Sequence, residues 1–473
     1  MTNQIRQRMA RLLGSTDADE RREAAQALAG ETDYAAITAL AASLQDDNKG
    51  VRDAGSLALK QTGGPIVART VAAYITDTNI VTRNLAGDLL LGLGGCAAEA
   101  LLPYLPHPDH DVRKFAADII GVVGDGAVAP SLLPLLKDHD ENVALAGVEA
   151  LGGIAGPDVV PALTKVYHDR AFTRASVTEA LGRIGGQDAV DFLVMSFYKG
   201  IKAQDADPVV LYAIVEALGR IGDPPAFDML MDNLQKTQGK LRRALIHAIV
   251  SIADRHNLGL HFLALHKQYL VDAFGDRDVA IKCSAAKVLA GIPDADTTEL
   301  FARSVGVHES LDAILLPALA GRPDGFRVIV HHLAEAPLKG GAQLATVLAR
   351  LALRESHDVF HGGGGGIGPE DIDAAVAAIG NLWDAANEET HMAIVDALFR
   401  LDADKAVTFL DRLLNEPDPW LRIHVIELLG AIEHREAARY IGQSLDDEDE
   451  MVKEVARAML SAKGYTVESG EVA

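Results

Sequence analysis

The residues best placed to do chemistry lie in the segment RESHDVFHGGGGGIGPEDID, residues 354–373. His357 and His361 stand four apart, so a helix running through them sets both imidazoles on one face. Two such ligands can chelate a metal, with Glu355, Asp358 or Glu370 to complete the set. No third ligand is fixed by the spacing, and a helix end running into a Gly-rich loop explains the same residues. The five glycines are not followed by Gly-Lys-Ser/Thr, and they do not sit between a strand and a helix. A phosphate-binding loop and a dinucleotide fingerprint are therefore both disfavoured. His256, His261 and His266 recur every five residues, which scatters them around a helix and marks them as surface or groove side chains. His107, Asp109, His110 and Asp111 fall in a short turn and read as a solvated helix cap. A Gly-x-Ser-x-Gly nucleophile elbow is absent. No catalytic or cofactor-binding residue is assigned and no cofactor is expected; the metal candidates are His357 and His361.

The elements that would position these residues come from a repeat. EALGGIAG at Glu149, EALGRIGG at Glu179 and EALGRIGD at Glu216 are near copies. Weaker copies extend the series from QALAGETD at Gln26 to RAMLSAKG at Arg457, and most steps between them are 30–32 residues. A period of this length is the mark of a solenoid. Each unit reads as two helices. In one unit the first covers roughly Ala129–Lys137 and the second roughly Glu141–Ala155, with Val143, Ala146, Ala150 and Ile154 on one face. Asp138 and Asp140 precede the second helix and can cap its amides. Glycine follows it, as at Gly63, Gly94, Gly124, Gly185 and Gly222, where a left-handed residue stops a helix. The small residue after the anchor lets neighbouring helices approach, and the next, Leu or Ile, fills the core between units.

Five residues before the anchor runs a basic column: Arg21, Arg52, Arg83, Arg113, Arg174, Arg242 and Arg422, with Lys282. It reads as a structural ladder to the Asp-rich turns, with Asp47, Asp77, Asp109, Asp169 and Asp418 as available partners. A stripe that binds acidic groups is the competing reading. The chain has 44 Lys+Arg against 67 Asp+Glu, a net charge of −23. Such a surface disfavours nucleic acid and anionic membrane and suits protein partners of basic or neutral surface. The run Asp446–Glu450 concentrates this charge before the last helix. Cys96 and Cys283 lack metal-ligand spacing, which points to a reducing, cytoplasmic compartment. MTNQIRQRMARLLGS holds no signal-peptide core, and no run of eighteen apolar residues offers a transmembrane helix.

"VRDAGSLALKQTGG", "VRKFAADIIGVVGD" and "TRASVTEALGRIGG" resemble HEAT repeats of the short bacterial type also seen in phycobilin lyases. The resemblance implies an all-α fold: an α-solenoid, a right-handed superhelix of about fourteen hairpins whose second helices line the concave side. Stacked about 10 Å apart, they would span on the order of 130 Å before curvature. The expected layout is solenoid over 1–354, a Gly-rich insertion at 355–368, further solenoid over 369–464, and a tail at 465–473. That family holds scaffolds, adaptors and a few enzymes. Deoxyhypusine hydroxylases of this fold bind iron through several His-Glu pairs, whereas this chain has one, His308-Glu309. The expectation is a non-catalytic protein-interaction scaffold or adaptor. The alternative is a lyase- or isomerase-like enzyme, or accessory subunit, acting on a protein-bound chromophore or cofactor. The partner's identity and the oligomeric state are left open.

Overall fold

The computed structural model describes the chain except residues 1, 204–205, 261, 263, 293, 336–339, 359–366, 384–387, 433–434, 466, 469–470 and 473. Twenty-eight α-helices follow one another in the described residues, pairing into successive hairpins, so the fold is an α-solenoid. The chain parts into two compact units, 1–259 and 260–473, holding eight and six hairpins respectively. No helix among the described residues is long and apolar enough to cross a membrane.

The unit read from sequence at 129–155 shows how the hairpin is made. Its second helix is Glu141–Ile154, and Asp140 caps it by accepting from the amides of Asn142 and Val143. Its first helix, Ala129–Leu132, tightens into a 3₁₀ turn over Leu133–Lys137. Pro134 opens that turn, lacking the N–H that an uninterrupted α-helix would use. Of the five stop glycines, Gly63, Gly94, Gly185 and Gly222 have φ of 62°, 65°, 68° and 73°. Gly124 is extended instead (φ −77°). It is needed for space, since a Cβ there would lie 2.6 Å from the Ile120 carbonyl oxygen.

The repeated phrase Glu-Ala-Leu-Gly is explained by contacts between consecutive second helices. A Cβ on Gly121 would come within 2.7 Å of Ala150 Cα. One on Gly152 would come within 2.7 Å of Ala180 Cβ, and one on Gly182 within 2.7 Å of Ala217 Cβ. Gly219 stands in the same relation to Ala248, at 2.9 Å. The glycine of one unit therefore lies on the alanine of the next, with backbones too close for any side chain. Between them Leu151, Leu181 and Leu218 are fully buried, and Glu149, Glu179 and Glu216 face solvent.

The tail forms an element the sequence did not announce: Val467–Glu468 pairs antiparallel with Glu471–Val472.

Candidate functional site

The turn between the two helices of a hairpin divides its work between two side chains. The first accepts the backbone N–H two residues on: Asn48 N–H to Asp46 (2.9 Å), Asp140 N–H to Asp138 (2.9 Å) and Asp449 N–H to Asp447 (2.9 Å). The second caps the helix, as Asn48, Asp140 and Asp449 do. The first side chain also receives the Arg column. Arg113 donates Nε and Nη2 to the two oxygens of Asp138, both at 2.8 Å. Its Nη1 donates to the carbonyls of His107 and Pro108 in its own turn (2.8 and 3.0 Å). Arg422 repeats this with Asp447 (2.9 and 2.8 Å) and the carbonyls of Glu416 and Pro417. Arg21 does so with Asp46 (2.7 and 2.9 Å) and the Ser15 carbonyl. Each of these guanidinium groups thus clamps its own turn to the next, across 25 residues. The pairs are largely dry: the Arg113 and Asp138 side chains are 6% and 10% exposed, and those of Arg422 and Asp447 are 5% and 9% exposed.

The hydrogen bonds from Arg21 hold the Asp46 carboxyl below its ordinary range. Burial is the largest influence on Asp138 and Asp447 and would raise both, but the arginine hydrogen bonds, the backbone N–H bonds of Asp140 and Asp449 and the arginines' charge together outweigh it, and both are lowered.

The rest of the column departs from this pattern. Among the described residues Arg52 holds only the Asp46 and Asp47 carbonyls of its own turn (2.7 and 3.0 Å). Asp77, the acid 25 residues on, is taken by the Gln45 amide at 2.6 Å. Arg83 makes no ion pair among the described residues; the turn ahead of it opens with His107, whose Nδ1 takes the Asp109 N–H at 3.1 Å. Arg174 donates to the Tyr167 carbonyl (3.3 Å) and lies 5.6 Å from that ring's centre. Arg242 donates to the Thr237 carbonyl, and Lys282 to that of Phe274 at 3.2 Å.

The histidine candidates are dispersed. His357 falls in the last turn of the helix Gly341–Asp358, and His361 lies outside the described residues. His256 meets the Gly222 carbonyl at 2.6 Å. His266 is buried rather than on a surface, at 4% exposure, stacked on Tyr269; His261 lies outside the described residues. Asp109 caps the helix His110–Val123, beside exposed His110 and Asp111. His308, of the lone His-Glu pair, caps the helix Glu309–Ala320 through Nδ1. Within the acidic run, Asp447 holds Arg422, Asp449 caps the helix Glu450–Ala462, and Glu450 pairs with Lys453 at 2.7 Å. Cys96 and Cys283 are free thiols.

What the sequence reading passed over is a row of carboxylates at the anchor positions of five successive second helices of unit 1. These are Asp88, Asp118, Glu149, Glu179 and Glu216. Asp118 is bonded by Lys114 (2.7 Å), and Glu179 lies 3.4 Å from Arg183. Asp88, Glu149 and Glu216 are exposed and without ion pairs among the described residues. The Gly-on-Ala contacts fix the spacing of Glu149, Glu179 and Glu216, each of which directly precedes the alanine of such a contact. Beside the Arg113 clamp lies a groove of about 590 Å³ lined by Leu105, His107, Pro108, Arg113, Pro134 and His139.

The family model described as HEAT repeats matches residues 98–173, 174–250 and 370–461, more than half of the chain. No curated protein matches the sequence. Among solved structures the chain is similar to Kap121p bound to Pho4p, at 12% identity and a TM-score of 0.49, over 97% of this chain and 57% of that one. It is similar to Kap95p with RanGDP at 14% identity and 0.49, over 97% and 71%. It is similar to human deoxyhypusine hydroxylase in complex with glycerol at 16% identity and 0.27, over 72% and 98%. The chain thus spans little more than half the length of the Kap121p chain.

Proposed function

The chain belongs to the HEAT-repeat family, and on that premise we propose that it is a non-catalytic scaffold that holds a protein partner of basic or neutral surface along the second helices of unit 1. The observation that carries this reading is the carboxylate row Asp88, Asp118, Glu149, Glu179 and Glu216. It offers one acid per unit at a spacing set by helix packing, about 8–10 Å. A partner with lysines or arginines at that spacing gains several pairs at once, while nucleic acid is repelled by the net charge of −23. In this reading the Arg column serves the scaffold, holding turns in register, and residues 355–368 are an insertion between units. The free cysteines accord with a reducing, cytoplasmic setting.

The test is a capture from native lysate by the wild-type chain and by a variant with the five acids replaced by Asn and Gln. A specific partner, identified by mass spectrometry, should be retained by the wild type and lost by the neutralised chain at equal helix content. Equal retention by both would remove the row from the binding surface.

A further inference from the structure

The helix Gln187–Lys202 has 16 residues and is the longest first helix of any hairpin in unit 1. One of its faces is buried through Ala189, Val190, Leu193 and Phe197. The opposite face carries Asp191, Val194, Met195, Tyr198, Lys199 and Lys202, which line a surface groove of about 530 Å³. Met195 is 57% and Tyr198 36% exposed. Lys199 and Lys202 are exposed and make no ion pair among the described residues. Among the described residues Asp191 accepts only the Gln187 amide, at 2.8 Å.

Read against itself in the opposite direction, this face sets an acid against a base at its ends and a thioether against an aromatic ring at its centre. Residue 191 falls opposite 202, 194 opposite 199, and 195 opposite 198. We infer that the face is the contact between two copies of the chain, packed antiparallel about a two-fold axis passing between positions 196 and 197. Asp191 of each copy then meets Lys202 of the other. The Met195 thioether lies on the Tyr198 ring, a favourable sulfur–aromatic contact. The Lys199 stem covers Val194 while its ammonium stays wet. An isologous contact must be self-complementary in this way. A foreign helix with acids at one end would satisfy the lysines but set an acid or nothing against Asp191. The mutual repulsion of two chains of charge −23 is screened beyond about 8 Å at physiological salt. One helix face lies at the small end of specific interfaces, so the dimer is reversible and concentration-dependent.

Sedimentation velocity of the full chain, from low to high micromolar concentration at physiological salt, tests this. The wild type should pass from monomer to dimer. Lys202→Asp or Asp191→Lys alone should weaken the dimer by about tenfold or more, each placing like charges opposite one another. The double exchange D191K/K202D should restore it, which a merely structural role for either residue cannot produce. Met195→Asp should abolish it, with Met195→Gln as the second probe if helix content falls. A chain that stays monomeric throughout overturns the inference. So does a dimer indifferent to these variants, or one not restored by the double exchange.

Discussion

A buried arginine that bonds two turns at once is worth more than the surface charge it resembles in sequence. Removing Arg113 leaves the largely dry Asp138 carboxylate without its arginine, together with two carbonyls that lose their donor. Breaking such a pair costs about 3 kcal/mol. Arg83 occupies the same column without an ion pair among the described residues, so its loss should cost about 0.5 kcal/mol or less. Chemical denaturation of Arg113→Ala and Arg83→Ala should therefore separate two residues that the sequence aligns, and equal midpoints would refute the clamp. The column itself was legible, because its period is that of the repeat. Its partners were not. Asp47, Asp77, Asp109, Asp169 and Asp418 were the acids in view, yet Asp109 and Asp418 cap helices and Asp169 pairs with Lys165 at 2.9 Å, while Asp46, Asp138 and Asp447 take the arginines. Spacing alone does not tell which acid of a turn looks back toward the preceding hairpin. The offset of 25 residues marks the three pairs that close, but it also joins Arg52 to Asp77, which do not pair, so the number alone does not decide it.

At the scale of the helix, Gly152 and Gly92 look alike and should behave oppositely. Both lie toward the ends of second helices, where alanine is ordinarily favoured over glycine by about 0.5–1 kcal/mol. A Cβ on Gly152 meets the Ala180 backbone at 2.8 Å, while one on Gly92 meets only the flexible end of Lys60, at 3.4 Å. Gly92→Ala should stabilise. Gly152→Ala must push two helices apart and should destabilise by about 1–3 kcal/mol, the usual cost of overpacking. Thermal melts that move in the same direction for both would show that the close approach is not maintained. Helix existence and the Asp140 cap were readable from periodicity and end signals, and the helix Glu141–Ile154 ends one residue short of its expected limit. The contact glycine was not readable, because its meaning lies in the adjacent unit. The sequence reading spent its glycines on helix ends, where four of the five named do turn left-handed.

For the whole chain, acid is the informative stress. Asp46, Asp138 and Asp447 have folded-state pKa values below the usual carboxylate value. Asp294 is lowered to about 2, since hydrogen bonds from Lys267 and Thr297 overcome the burial that would raise it. A depressed folded pKa contributes stability above the unfolded value, near 4, and that stability is lost as pH falls through the folded value. Melting temperature should thus fall steeply between about pH 4 and pH 2, and Asp294→Asn should shallow that fall; melts followed by circular dichroism decide it, and an unchanged melting temperature down to pH 2 counts against it. The solenoid was legible because a repeat writes its period openly. The division at residues 259 and 260 was not read from the sequence, although it falls within the long step that begins at His247. The clamp also acts as a ruler. It closes only when a fixed number of residues separates its arginine from its aspartate, so the stretches after Arg21, Arg113 and Arg422 tolerate neither gain nor loss of length. The long steps of the repeat begin instead at Glu179, His247 and Ala349, and none of them directly follows one of these three arginines. Whole hairpins can be duplicated, or foreign segments spliced in at those unmeasured joints, without upsetting the count anywhere else.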